Sequence, residues 1–141
     1  MPEPYWQNYS HPSDTGIRGV ADTKAGAFEQ AAVALTAVIT EPDSVKPSEK
    51  INITCGPEYD DELLFINWIS SLIYEMSTRN MLFSRFEVTI EQGRLTAAAR
   101  GEKIDREKHA PAVEVKAATY ADLKVEKNSA GQWLAQCIVD V

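Results

Sequence analysis

Cysteine, histidine, basic charge and long apolar runs are all scarce in this chain. Cys55 and Cys137 are its only cysteines. Each lies in an apolar, strand-like setting, and no C-x-x-C spacing connects them, so free buried thiols are expected rather than a disulfide or a catalytic nucleophile. There are only two histidines, His11 and His109, and no H-E-x-x-H zinc motif. Glycine-rich phosphate loops are missing as well. Gly16-Ile-Arg-Gly19 lacks the G-x-G-x-x-G pattern, and no glycine-rich loop runs into Lys-Ser or Lys-Thr, which removes dinucleotide and nucleotide-phosphate fingerprints. The longest apolar stretch, Leu63 to Ile73, is interrupted by Asn67, Ser70 and Ser71 and falls short of the roughly 20 residues a membrane helix requires. Met1-Pro-Glu-Pro-Tyr5 carries no basic segment leading into an apolar one, so no secretion signal is read and a cytoplasmic location is expected. Positive charge is in deficit, with 14 Lys and Arg against 21 Asp and Glu and a net charge of -7. That balance argues against a nonspecific grip on nucleic acid, which depends on neutralising phosphates, although Lys103, Arg106, Lys108 and Lys116 could share a local face.

What remains describes an ordinary soluble domain. At 141 residues, 44% hydrophobic and 25% charged, the chain is expected to form one domain over residues 1–141 and to bury roughly two thirds of the surface its unfolded form exposes. After a Pro-rich, irregular lead of about 15 residues, 16–21 alternates as a strand does. Thr23 is placed to cap a helix running to about Ile39, whose alanine-rich side suits close packing on a sheet and which Glu41-Pro42 stops. Glu49 to Cys55 reads as a strand. A second helix begins at Asp60 or Asp61 and is apolar over more than one stripe, so it is expected to be the most deeply packed helix. Arg85 to Glu91 and Leu95 to Arg100 flank a turn at Gln92-Gly93-Arg94, the pattern of a hairpin. A charged connection follows from Gly101 to Ala110, with room for one helical turn. Strands are expected at Val113–Lys116, Tyr120–Glu126 and Gln132–Val139, the last two joined by a turn at Asn128-Ser-Ala-Gly131. The fold class is therefore α+β: a mostly antiparallel mixed sheet packed with two principal helices, sandwich-like or two-layered.

Several residues carry chemistry worth following. If the last strand lies beside the first one after the Pro-rich lead, Asp14, Asp140 and the carboxylate of Val141 converge, an oxygen-rich set suited to a hard cation such as Ca²⁺ or Mg²⁺. The plain alternative is that these acids solvate the chain ends. Asp105 and His109 stand four apart and would face the same way on a helical turn, where a carboxylate can orient a histidine; ordinary surface charge is the competing reading. Lys116 and Tyr120 could donate to an anion, yet a lysine on a sheet edge also blocks strand association. Ser10, His11, Ser13, Asp14 and Asp140 supply the atom types of a hydrolase triad without the G-x-S-x-G setting. Tyr5, Trp6 and Tyr9 form either a packed strap or a partner surface.

His11-Pro-Ser-Asp14-Thr-Gly16, Asp61-Glu-Leu-Leu-Phe-Ile-Asn-Trp68 with Leu72-Ile-Tyr74, Phe83-Ser-Arg-Phe86, Gly101-Glu-Lys-Ile-Asp105, His109, Glu114-Val-Lys-Ala-Ala-Thr-Tyr120 and Ile138-Val-Asp140-Val141 together resemble the archease family. The resemblance runs in order along nearly the whole chain. It implies a cytosolic accessory protein, without catalysis of its own, that promotes guanylation and repeated turnover of an RNA-splicing ligase in tRNA splicing or RNA repair. GTP and the catalytic divalent metal would belong to that ligase, which works through a guanylated histidine, and RNA contact by the accessory protein would be indirect. The resemblance assigns Ca²⁺ to Asp14, Asp140 and Val141, and makes His11, Asp105, His109 and Lys116 candidates for the surrounding shell or the partner interface. A general chaperone-like interaction module and a small Ser/His hydrolase are the alternative functions.

Overall fold

The computed structural model describes residues 3–10 and 14–141. Its elements are β1 (Tyr5–Ser10), β2 (Thr15–Ala21), α1 (Lys24–Ile39), a 3₁₀ turn at Pro42–Ser44, β3 (Glu49–Cys55), α2 (Asp61–Arg79), β4 (Met81–Glu91), β5 (Arg94–Lys103), the single-turn α3 (Arg106–His109), β6 (Ala117–Ala118), β7 (Lys124–Lys127) and β8 (Trp133–Asp140). They make two sheets. One has the order β1-β2-β8-β6, with β7 also on β8, and the other has the order β3-β5-β4. Every strand pairing is antiparallel. The α+β class with two principal helices holds, and the strands divide into two sheets that both touch the helices.

Local chemistry explains the element ends. The Thr23 hydroxyl accepts the Gly26 amide at the start of α1, and the Asp60 carboxylate accepts the amides of Glu62 and Leu63 at the start of α2, filling donors that a helix start leaves open. Asn80, at φ 56°, ends α2 in the left-handed region. Gln92 and Gly93, with φ of 49° and 75°, form the two-residue turn of the β4–β5 hairpin, a geometry whose twist matches that of paired strands. Cys55 and Cys137 are buried and free.

The more deeply packed helix is α1 and not α2, contrary to the expectation from hydrophobicity. No residue of α1 is exposed, whereas Leu63, Asn67, Ser70 and Tyr74 of α2 face solvent. Side-chain size is the reason. Alanines let α1 lie against β2 so closely that a Cβ on Gly19 would sit 2.1 Å from the Ala27 carbonyl oxygen, while its other flank seals the free edge of β4. There the Thr36 hydroxyl donates to the Phe83 carbonyl (2.6 Å) and the Glu29 carboxylate accepts the Val88 amide (2.8 Å), which leaves that edge no template for another chain. The helices join through Trp68 Nε1 donating to the Phe28 carbonyl (3.0 Å) and an edge-to-face Phe28–Phe65 pair.

Three expected boundaries are revised. The Pro-rich lead contains a strand, β1, because Tyr5 to Ser10 pair in register with Val20 to Thr15. Val113–Lys116 is not a strand, since β8 ends at Asp140 and its edge first meets the segment at Ala117. The strand expected over Tyr120–Glu126 is reduced to Lys124–Lys127, because Asp122 adopts φ 53° and turns the chain.

Candidate functional site

Antiparallel pairing of β2 with β8 aligns Thr15 with Val139, and the same register carried one residue further sets Asp14 beside Asp140. On the other edge of β8, Ala117 pairs with Asp140, and the Lys116 amide donates to the Asp140 carbonyl at 2.7 Å. Three stretches distant in sequence therefore meet at one end of the sheet. Asp14 is partly buried, Asp140 and Lys116 are exposed, and Val141 is 37% exposed. Lys116 enters through its main chain; among the described residues its ammonium has no acidic partner. His11 and Ser13 lie outside the described residues.

Next to this end the outer face of the sheet is locked by a polar lattice. The Tyr9 ring fills the space a Cβ at Gly16 would need, 2.3 Å from its nearest atom, so the glycine is required by close approach. Tyr9 donates its hydroxyl to Asp122 Oδ2 (2.8 Å), and the Arg18 guanidinium stacks 4.3 Å above its ring. Arg18 Nε donates to Gln136 Oε1 (2.7 Å), Arg18 Nη1 donates to Gln7 Oε1 (3.0 Å), and Gln136 Nε2 donates to the Asp122 carboxylate (3.0 Å). Burial, and then the bond to Asp122, push the Tyr9 hydroxyl well above the usual tyrosine range, so it is a permanent donor. The lattice clips the loop bearing exposed Tyr120 onto β1, β2 and β8. No sequence motif marks it, because its members come from four separate segments.

Asp105 and His109 do share a helical turn, yet not as the expected carboxylate–imidazole pair. The Asp105 carboxylate is spent capping α3, accepting the amides of Glu107 (3.0 Å) and Lys108 (3.2 Å). Its main-chain amide donates to His109 Nδ1 (2.9 Å), which leaves Nε2 to carry the proton and donate to Glu102 (2.9 Å). His109 is buried, 3% exposed, with both ring nitrogens engaged, and its carbonyl accepts the Thr40 hydroxyl at the end of α1. Glu102 also accepts Lys108 Nζ (2.7 Å) and the Lys46 amide (2.8 Å). These bonds, with that from Lys108 the strongest, hold its carboxyl down at about 2. Glu102 was not singled out by sequence, since nothing in Gly101-Glu-Lys distinguishes it from the surrounding charge.

This architecture matches known proteins along its length. Residues 6–141 match the archease protein family. The chain belongs to the archease family. The archeases of Pyrococcus abyssi and Pyrococcus furiosus are each 41% identical to it over 140 residues, spanning 96% of this chain and 98% of theirs. The archease of Methanosarcina mazei is 33% identical over 142 residues, with 96% and 95% covered. Among solved structures, the solution structure of protein 1598 from Methanobacterium thermoautotrophicum superposes with a TM-score of 0.83 at 28% identity, covering 96% of this chain and 98% of that one. The crystal structure of a Thermotoga maritima archease, described as a possible chaperone, shares the fold with a TM-score of 0.58 at 17% identity, covering 96% of each chain. The archease fold thus brings Asp14, Asp140 and Lys116 to one end of the sheet, while Asp105 and His109 serve a separate buried knot around Glu102.

Proposed function

We propose that this archease is a non-catalytic accessory protein that promotes guanylation and multiple turnover of a guanylated-histidine RNA ligase during tRNA splicing or RNA repair in the cytoplasm. Family membership supports the ligase as partner. The observation that carries the reading on this chain is the β2–β8 register, which gathers two acidic residues from opposite ends of the sequence. Carboxylates carried on neighbouring strand ends are donors that a hard cation can bridge.

The donors fit a hard ion. Asp14 and Asp140 offer carboxylate oxygens and Val141 a main-chain oxygen, a set that suits Ca²⁺ and not a thiolate- or imidazole-seeking metal. Among the described residues no third His, Cys, Asp or Glu side chain completes a cluster there, so further ligands would be water or groups from the ligase. When bound, the ion supplies charge neutralisation and fixes the two strand ends. The protein's own residues do the rest: the Lys116 amide, just before β6, holds the Asp140 carbonyl, the lattice around Tyr9 orders the neighbouring loop, and the exposed Lys116 ammonium offers a cation to the partner. GTP, catalytic metal and RNA stay with the ligase, in keeping with the net negative charge of this chain.

The deciding experiment is single-turnover guanylation of the cognate ligase with stoichiometric and catalytic amounts of the protein. Wild type should accelerate guanylation and Asp14→Ala/Asp140→Ala, folded by circular dichroism, should not. Equal acceleration by a metal-free double variant would overturn the metal-dependent reading; no acceleration by wild type of a competent ligase would overturn the partner.

A further inference from the structure

The segment between the Glu102 knot and the acidic end has no regular structure and lines a cleft that mixes apolar and polar side chains. The cleft, of about 390 Å³, is floored by Ile39, Ile73, Met76, Met81, Leu82 and Ile104, and walled by Pro111 to Val115. Its volume lies in the range of ligand clefts, and its two methionines adapt to varied apolar shapes. The wall is pinned at both ends, by the Ala112 amide on the Ile39 carbonyl and by the Lys116 amide on the Asp140 carbonyl. Between these pins Val113, Glu114 and Val115 make no hydrogen bond through their main-chain amides or carbonyls to any described residue.

We propose that this cleft docks an extended peptide segment of the partner protein, which adds as a strand along Val113–Val115 and inserts one aliphatic or methionine side chain into the cleft. Strand addition uses the main-chain groups that lack partners, and the anchor side chain supplies specificity; a small apolar molecule would use only the floor. Charge sets the direction of the segment. Arg106 and Glu114 are exposed residues of the cleft lining, and neither is paired to an opposite charge among the described residues. The matching segment carries an acid on the side of Arg106 and a base on the side of Glu114. Because the wall leads directly into Lys116 and Asp140, the docked segment would deliver its protein to the acidic end. The identity of that protein as the RNA ligase rests on the function proposed above, whereas the cleft and its ligand chemistry do not.

The test selects short random peptides displayed on phage against the whole protein, then titrates the enriched sequences as synthetic peptides into ¹⁵N-labelled protein. Enriched peptides should pair an aliphatic residue or methionine with an acid and a base on opposite sides, and should shift the amides of Val113 to Val115 first. Ser77→Trp, which obstructs the cleft from an exposed helical position, and Arg106→Glu should each weaken binding about tenfold or more. Peptides that perturb another face, or that bind both cleft variants with wild-type affinity, would overturn the proposal, as would failure to enrich any peptide. A ligase guanylation assay on the same variants separates the two readings. Peptide binding at the cleft without ligase stimulation by wild type removes the ligase and keeps the cleft; stimulation undiminished in both cleft variants removes the cleft from ligase recognition.

Discussion

Replacing His109 by alanine tests whether the buried knot, and not acid–base chemistry, is what this histidine does. The substitution removes the acceptor of the Asp105 amide, a loss of about 1 kcal/mol because Asp105 is exposed and water can replace the ring nitrogen, removes the bond from Nε2 to an ionised carboxylate, about 1.5–3 kcal/mol, and empties the space of a buried ring. Glu102 keeps the Lys108 ammonium and the Lys46 amide and is 18% exposed on its side chain, so water and these partners recover part of the second loss. The expected net destabilisation is about 3 kcal/mol, a large share of the roughly 5–15 kcal/mol typical of a domain. With a urea dependence of about 2 kcal/mol/M, the unfolding midpoint falls by about 1.5 M. Glu102→Gln and the double variant complete a cycle whose coupling is expected at about 1–2 kcal/mol. Acid supplies an independent check. The bond from Lys108, then those from Lys46 and His109, lower the folded carboxyl to about 2 against an ordinary 4.5. A depressed acid gives its full stabilisation above its unfolded value and loses it as pH falls from about 4.5 towards 2, so Glu102→Gln should flatten the acid limb of the stability curve. A loss below about 1 kcal/mol for His109→Ala, together with additive double-variant behaviour, would refute the knot.

Further outcomes follow from the same geometry. Tyr9→Phe deletes only the hydroxyl bonded to Asp122 and should cost about 1 kcal/mol while speeding amide hydrogen exchange in the loop around Ala121 and Asp122; unchanged exchange there would show that the lattice does not hold the loop. Calorimetric titration should detect one Ca²⁺ site in wild type and none in Asp14→Ala/Asp140→Ala, and retained binding would move the metal elsewhere. Glu29 has its carboxyl raised, chiefly by burial, so stability contributed by its protonated form is present at low pH and lost as pH rises through the folded value. Glu29→Gln, which can still accept the Val88 amide, should therefore gain stability relative to wild type near pH 8 and show little gain near pH 4; urea melts at the two pH values compare them.

Sequence alone determined the elements whose signals are local. Thr23 and Asp60 lie at helix starts because capping depends on neighbours a few residues away, and Gln92-Gly93 makes a hairpin because the turn needs its own backbone geometry. Resemblance at the motif level also singled out Asp14 and Asp140, whose side-by-side placement at the ends of β2 and β8 only the register of those strands supplies. Tertiary structure decided whatever depends on a distant partner. Tyr5 to Ser10 became a strand only because β2 offers an edge, and Val113–Lys116 failed to become one because β8 ends at Asp140. His109 turned inward because Glu102 and the Asp105 amide meet both of its ring nitrogens. The alanine-rich α1 became the deeply packed helix because small side chains fit between a sheet and a free edge, an outcome of available space and not of hydrophobicity.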